Sequence, residues 1–227
     1  MLVLIPAYEP DQHLVDIVAE LRRQAPTWQV VVVDDGSGPR HSCVFTMVAA
    51  PGATVLLHDR NRGKGAALKT GFAWARSHAP GETVVCADSD GQHLVHDIVR
   101  VGSAVRPGTM VLGGRKFTGK VPARSRFGNA VTRHVFRALS GVPVYDTQTG
   151  LRAYPHEQLA WLCSVPGERF EYEFQALLRA RTACIRIVEV EIDTVYEVER
   201  SSSHFRTVRD SVRVYAPLLG HAWMTRS

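Results

Sequence analysis

Cysteine is scarce and scattered in this sequence: four in 227 residues, at Cys43, Cys86, Cys163 and Cys184, with no C-x-x-C pair. That argues against a disulfide framework or a cysteine-ligated zinc site and leaves buried thiols as the expectation. No stretch approaches the roughly 20 apolar residues that span a bilayer. The apolar start from Leu2 to Ile5 meets Pro6 too soon, and without a basic leader, to serve as a signal peptide. A cytoplasmic protein is therefore expected. Helix-turn-helix, zinc-finger and RNP-like signatures are missing, as are internal repeats and low-complexity linkers, so nucleic acid ranks last among partners.

What is present reads as an ordinary globular chain. Hydrophobic residues make up 45% and charged residues 22%, enough for a substantial core. The length suits one generous domain, or a domain with a C-terminal extension. A formal charge of +5 and an isoelectric point near 9.2 point to an anionic partner, such as a nucleotide or a phospholipid surface.

Apolar runs and helical periodicities alternate along the first half. Leu2 to Ile5 reads as a buried strand halted by Pro6. Gln12 to Gln24 has helical spacing at Leu14, Ile17, Val18 and Leu21, with Asp11 as its cap. Strands are expected at Gln29 to Val33, Thr54 to Leu57, Thr83 to Ala87 and Met110 to Leu112, and helices at Gly63 to Ser77 and Leu94 to Val105. Such alternation predicts an α/β fold, a mostly parallel sheet flanked by helices on both faces.

Three of these strands end in polar residues: Pro6-Ala7-Tyr8-Glu9, Asp34-Asp35-Gly36-Ser37 and Asp88-Ser89-Asp90. In a parallel sheet such ends share one edge, where open α/β folds bind ligands. In an extended segment residues i and i+2 share a face. Asp88, Asp90 and Gln92 could then present oxygens to one magnesium or manganese ion. The plainer reading is a turn or a helix cap at Asp90. An EF-hand is disfavoured, because the twelfth position from Asp88 is Val99 and not Glu. Asn61-Arg62-Gly63-Lys64-Gly65 could open a helix on an anion. It matches neither a dinucleotide fingerprint, since Leu68 stands where the third glycine would be, nor a Walker A loop.

Taken in order, Pro6-Ala7-Tyr8-Glu9, Val33-Asp34-Asp35-Gly36-Ser37, Asn61-x-Gly63-Lys64-Gly65 and Asp88-Ser89-Asp90-x-Gln92-His93 resemble glycosyltransferase family 2. Further along, Asp146-Thr147-Gln148-Thr149-Gly150-Leu151-Arg152, Arg169-Phe170-Glu171-Tyr172-Glu173, Ser202-Ser203-His204-Phe205 and Asp210-Ser211 resemble its polyprenyl-phosphate branch, which includes dolichyl-phosphate mannose and glucose synthases. The resemblance covers essentially the whole chain. It implies a Rossmann-like GT-A domain over residues 1–200, followed by a C-terminal basic amphipathic helix over 201–227. It also implies inverting transfer of a sugar from a UDP- or GDP-sugar to a polyprenyl phosphate, with Mn or Mg as the divalent cation.

On this resemblance the donor would meet Pro6, Ala7, Tyr8, Glu9, Asp35, Gly36, Lys64, Asp88, Ser89, Asp90, Arg200 and Ser202. Metal ligands would be Asp88, Asp90 and Gln92. The acceptor phosphate would meet Arg115, Ser125 and Arg126, with Asp88, Asp90 and Arg115 as the catalytic set. Many members carry membrane helices after the catalytic domain, and the expectation is that this part is absent here.

Basic residues line one side of the predicted helix from Arg124 to Ser140 (Arg126, Arg133, Arg137) and recur at Arg206, Arg209 and Arg213. Solvated surface arginines give the same pattern. A binding reading makes an anionic membrane surface the partner and places the protein peripherally at the cytoplasmic membrane face. A homodimer is kept open. Glu171 and Glu173 are read as structural or acceptor-positioning, because an ionised phosphate acceptor needs no strong base. The alternatives are a GT-A transferase acting on a soluble hydroxyl or a protein, and a non-catalytic nucleotide-sugar-binding subunit. A sugar nucleotidyltransferase is disfavoured by the missing glycine-rich signature after Leu2 to Ile5.

Overall fold

The computed structural model of the protein describes residues 1–115, 136 and 143–193. Ser125, Arg126, Arg200, Ser202 and the proposed 201–227 tail lie outside the described residues, as does the boundary between the two expected domains.

The described chain runs β1 (Leu2–Ala7), α1 (Gln12–Gln24), β2 (Gln29–Asp34), α2 (Ser42–Ala49), β3 (Thr54–Leu57), α3 (Lys64–His78), β4 (Val84–Cys86), α4 (Val95–Ser103) and β5 (Thr109–Arg115). It continues with β6 (Arg152–Tyr154), α5 (Leu159–Ser164), α6 (Glu171–Ala180) and β7 (Arg186–Ile192). The seven strands form one sheet in the order β3-β2-β1-β4-β6-β5-β7. Only β6 runs antiparallel, to both β4 and β5. This is the mixed, mostly parallel α/β arrangement expected of a GT-A fold.

Both faces of the sheet are covered, and that explains why the strands read as unbroken apolar runs. Alternation sends Leu2 and Leu4 of β1 into one core, with Phe72 of α3, Leu159 of α5 and Leu177 of α6. Val3 and Ile5 enter the other, with Leu14 and Leu21 of α1, Phe45 of α2 and Ile98 of α4. Helix α1 begins where Asp11 accepts the His13 N–H at 3.0 Å, a cap that contributes about 1 kcal/mol. Helix α3 lies close on the sheet because Gly71 has no side chain to strike Leu4.

Pro6 does not halt β1. The strand continues to Ala7 and stays paired with β2 up to Ala7–Asp34, whereas its pairing with β4 stops at Leu4–Cys86. Leu2 donates its N–H to Thr83 at 2.9 Å, so by the period of two residue 6 also faces β4. A proline there has no N–H to donate. β1 and β4 therefore stop pairing here, where the strand order reverses, at the switch point whose crevice is where open α/β sheets take ligands.

Candidate active site

The three polar strand ends meet at this crevice. Asp35 donates its N–H to the Ala7 carbonyl at 2.8 Å, and the Glu9 N–H is donated to Ser37 Oγ at 2.8 Å. The end of β1, with Pro6, Ala7, Tyr8 and Glu9, is thus tied to the end of β2. Tyr8 is half-buried, and burial, with the hydrogen bond to Glu9, raises its phenol above the ordinary range.

Asp35 is buried beneath the loop that follows β3. Its Oδ1 accepts from His58 Nδ1 at 2.7 Å and from the Arg62 N–H at 2.9 Å, and its Oδ2 accepts from the Gly63 N–H at 2.7 Å. His58 reaches Thr70 Oγ1 with its other nitrogen at 2.9 Å. Both Asp35 and His58 side chains are 4% exposed. Asp35 thereby sets the loop that delivers Lys64 to the head of α3. Gly36 lies under the same loop with φ +76°, and any Cβ there would run into the backbone of Arg60 and Asn61.

Asp88 is held differently. Lys64 Nζ lies 2.7 Å from Asp88 Oδ1 and 2.8 Å from Glu173 Oε2. Burial alone raises the Asp88 carboxyl, but the Lys64 ammonium and then His93 overcome it and hold Asp88 well below the usual carboxylate range. Burial likewise disfavours the charged Lys64, and the two carboxylates more than compensate, raising it. His93 Nε2 is 3.4 Å from Asp88 Oδ2, too long for a strong hydrogen bond. The buried His93 ring has no hydrogen-bond partner among the described residues. Gly150 packs against the Asp88 carboxylate, where a Cβ would collide with it.

Asp90 and Gln92 are not on an extension of β4, as the i, i+2 argument assumed. The strand ends at Cys86, and the chain bends through residues 89–91 with Gly91 at φ +75°. Asp90 Oδ1 accepts the Gln92 N–H at 3.1 Å, and the Gln92 side chain is exposed. Burial, then the negative charge of Asp88, raises the Asp90 carboxyl. Asp88 and Asp90, two residues apart past the end of β4 and with His93 3.4 Å from Asp88, offer the carboxylate oxygens that a hard divalent cation takes. Asp88 and Asp90 would hold such an ion, with the neighbouring Gln92 as a third oxygen donor.

Arg115 ends β5 on the same sheet edge, since β5 and β4 both oppose β6. Its Nε donates to Asp146 Oδ2 at 2.7 Å. Asp146 is fully buried, and Glu189 of β7 accepts its N–H at 3.1 Å. Arg152, also fully buried, donates to the carbonyls of Thr149 at 2.8 Å and Glu173 at 2.7 Å.

A separate group joins the start of α4 to the end of β7. His96, Asp97 and Asp193 have ligand atoms within 4.8 Å of one another. Arg100 pairs with Asp97 there, so the group already holds a cationic partner.

His58 and Glu189 do not stand out in the sequence: His58 opens a polar loop, Glu189 alternates with apolar residues of β7, and neither carries a motif of its own. Arg152, Asp146 and Glu173 were visible only as parts of motifs, without partners.

The glycosyl transferase family 2 model matches residues 2–150. Undecaprenyl-phosphate mannosyltransferase of Micrococcus luteus is 30% identical over 203 residues, covering 86% of this chain and 83% of that protein. Polyprenol monophosphomannose synthase of Mycolicibacterium smegmatis is 29% identical over 201 residues, covering 84% of this chain and 76% of that protein. Among solved structures, glucosyl-3-phosphoglycerate synthase from Mycobacterium tuberculosis, in complex with Mn2+, UDP and glucosyl-3-phosphoglycerate, aligns with a TM-score of 0.70. It is 22% identical, and the match covers 97% of this chain and 78% of that one, a likeness of fold. With the family model matching well over half of the chain, on a sheet whose polar strand ends converge at one crevice, this protein belongs to glycosyl transferase family 2 and is a glycosyltransferase.

Proposed function

We propose that this glycosyltransferase transfers a sugar, with inversion, from a UDP- or GDP-sugar to a polyprenyl phosphate at the crevice between β1 and β4. The observation behind this reading is that the Asp88–Asp90 pair and Arg115 lie on one sheet edge with only β6 between them. Cys86 of β4 and Leu112 of β5 both register on Arg152. The two strands are therefore about 10 Å apart, two strand spacings. That distance suits a diphosphate and an acceptor phosphate facing each other across one sugar. The names of the two bacterial relatives, which carry polyprenol and undecaprenyl phosphate, support the acceptor class.

An acceptor phosphate oxygen forms the new bond to the anomeric carbon while the bond from that carbon to the diphosphate oxygen breaks. The bonding pair leaves with the nucleoside diphosphate. A phosphate monoester, with a second pKa of about 6, is already largely ionised at neutral pH and needs no general base. Tyr8 offers a ring for the base to stack on, and Lys64 a cation facing the diphosphate. A Mg or Mn ion on Asp88, Asp90 and Gln92 would supply Lewis-acid neutralisation of the leaving diphosphate. The buried Asp146 fixes the plane of the Arg115 guanidinium for the incoming phosphate. Ser125 and Arg126 are further acceptor-phosphate contacts in this reading, and Arg200 and Ser202 further donor contacts. No helix among the described residues is long and apolar enough to cross a membrane. The basic residues that recur in the sequence around Arg126 and Arg206 would meet an anionic bilayer from the cytoplasmic side.

The test is a screen of UDP- and GDP-sugars with a short polyprenyl phosphate, following nucleotide release and label in the organic phase together. Release coupled to organic-phase label is expected. Label that stays aqueous would move the acceptor to a soluble hydroxyl or protein. Donor binding with no release across acceptors would turn the chain into a nucleotide-sugar-binding subunit.

A further inference from the structure

Glu173 has no task in the transfer just described, yet it is 11% exposed at the side chain and stands next to the diphosphate-facing lysine. A carboxylate this buried is costly unless paired. Its partners form a chain across four elements. Arg152 of β6 donates Nη1 to the Glu173 carbonyl at 2.7 Å and brings Nε within 3.7 Å of Oε1. Oε2 of Glu173 meets Lys64 Nζ at 2.8 Å, and the same ammonium meets Asp88 Oδ1 at 2.7 Å.

Glycines bring these elements together. A Cβ on Gly63 would strike Arg169 and the Glu168 carbonyl, each at 2.5 Å, and one on Gly65 would strike Tyr172 Cβ at 2.5 Å. The Ala66 N–H is donated to the Glu168 carbonyl at 2.9 Å, fastening the head of α3 to the start of α6. Without that approach Glu173 could not reach Lys64.

Lys64 therefore shares one ammonium between two carboxylates, one of which is a candidate cation ligand. A buried ammonium must keep a partner. With Asp88 as its only partner, Lys64 would stay on the oxygen a divalent cation needs. We propose that Glu173 is a positioning residue that gives Lys64 a second seat, so that Lys64 steadies Asp88 before a divalent cation binds and yields Asp88 when it arrives. This rests on the reading that Asp88 and Asp90 take the cation, and it adds a role for α6 in admitting it.

The test is Mn2+ binding to the full chain without donor or acceptor, read from the EPR signal of free Mn2+. Glu173→Gln keeps the shape and removes the seat, and it should weaken Mn2+ binding about tenfold, some 1.4 kcal/mol. Lys64→Gln uncovers Asp88 and should bind Mn2+ at least as tightly as the unaltered chain. In the Lys64→Gln background the Glu173→Gln change should shift the Kd less than about twofold, because its effect passes through Lys64. An unchanged Kd for the single Glu173→Gln variant overturns the proposal. So does an equal loss in both backgrounds, which would make Glu173 a remote charge only. If Glu173→Gln does not fold, Glu173→Asp carries the same test: its retracted carboxylate should weaken binding severalfold, and the loss should vanish in the Lys64→Gln background. Absence of saturable binding by the unaltered chain overturns the cation site itself. That outcome shows in the first titration and leaves the sugar-transfer assay to be judged separately.

Discussion

Asp35 and Asp88 stand on either side of β1, each just past the end of a parallel strand, yet opposite kinds of partner hold them. Asp35 commits both oxygens to backbone N–H groups and a buried histidine, all supplied by the chain itself. Asp88 is 28% exposed and is held mainly by one lysine ammonium, a side-chain partner that a divalent cation could replace. Two strand-end carboxylates of the same sequence type thus divide into a structural fastening and, in the proposed reading, a ligand-facing group. What separates them is whether the partners are mainly backbone N–H groups or a side-chain charge. The contrast also bears on Asp35 as a donor contact: its first role is to shape the loop that presents Lys64.

That division can be broken or sharpened by experiment. The largest effect is expected on the ligand side. Asp90→Asn should reduce turnover by about 10³-fold, the scale of losing a principal electrostatic group, with a melting temperature close to that of the unaltered protein. Near-normal activity would dissolve the contrast. On the structural side, Asp35→Ala leaves the Arg62 and Gly63 N–H groups and His58 without their acceptor. At about 1–3 kcal/mol for each buried orphan, denaturant unfolding should show a loss of several kcal/mol. A variant that unfolds normally but no longer binds donor would make Asp35 a ligand contact first.

A smaller effect is expected across the edge. Arg115→Ala removes a charged contact of about 1.5–3 kcal/mol, so the acceptor KM should rise roughly ten- to a hundredfold while the donor KM stays put. If the donor constant moves instead, the acceptor site lies elsewhere. The smallest effect is a pH shift. Burial and the Asp88 charge raise Asp90, so in the free protein it keeps its proton to higher pH than an ordinary carboxyl. A cation must displace that proton, so Mn2+ affinity should rise with pH just above the usual carboxylate pKa of about 3.9 and then level off. A flat titration between about pH 4 and pH 7 would remove the coupling. The stability sign runs the other way: a raised carboxyl favours the folded state at low pH, and that contribution is lost as pH rises through the folded pKa.

Much of the first half was legible because periodicity and caps agree there. Helix α1 has the bounds its apolar spacing and Asp11 suggested, and β3 has those of its apolar run. The convergence of strand ends followed from a parallel sheet alone. Less was legible where structure depends on distant partners. β6 has three residues, too few for any period to show, and its antiparallel direction is set by β4 and β5 on either side. β7 alternates Glu with apolar residues as an edge strand does, yet the role of Glu189 in capping Tyr145 and Asp146 is invisible without the fold. Pro6 differs from the strand end its sequence position suggests for a physical reason: it ends pairing with one neighbour only, at the point where the strand order reverses.

Anomalous diffraction at the manganese edge, from crystals of the full chain soaked with Mn2+ and a nucleoside diphosphate, tests the assignment of this crevice most directly. A peak bonded to the Asp88 and Asp90 carboxylates and to the diphosphate is expected, with Lys64 drawn off Asp88 toward Glu173. A peak confined to His96, Asp97 and Asp193, or a nucleotide bound with no manganese at Asp88, would contradict it.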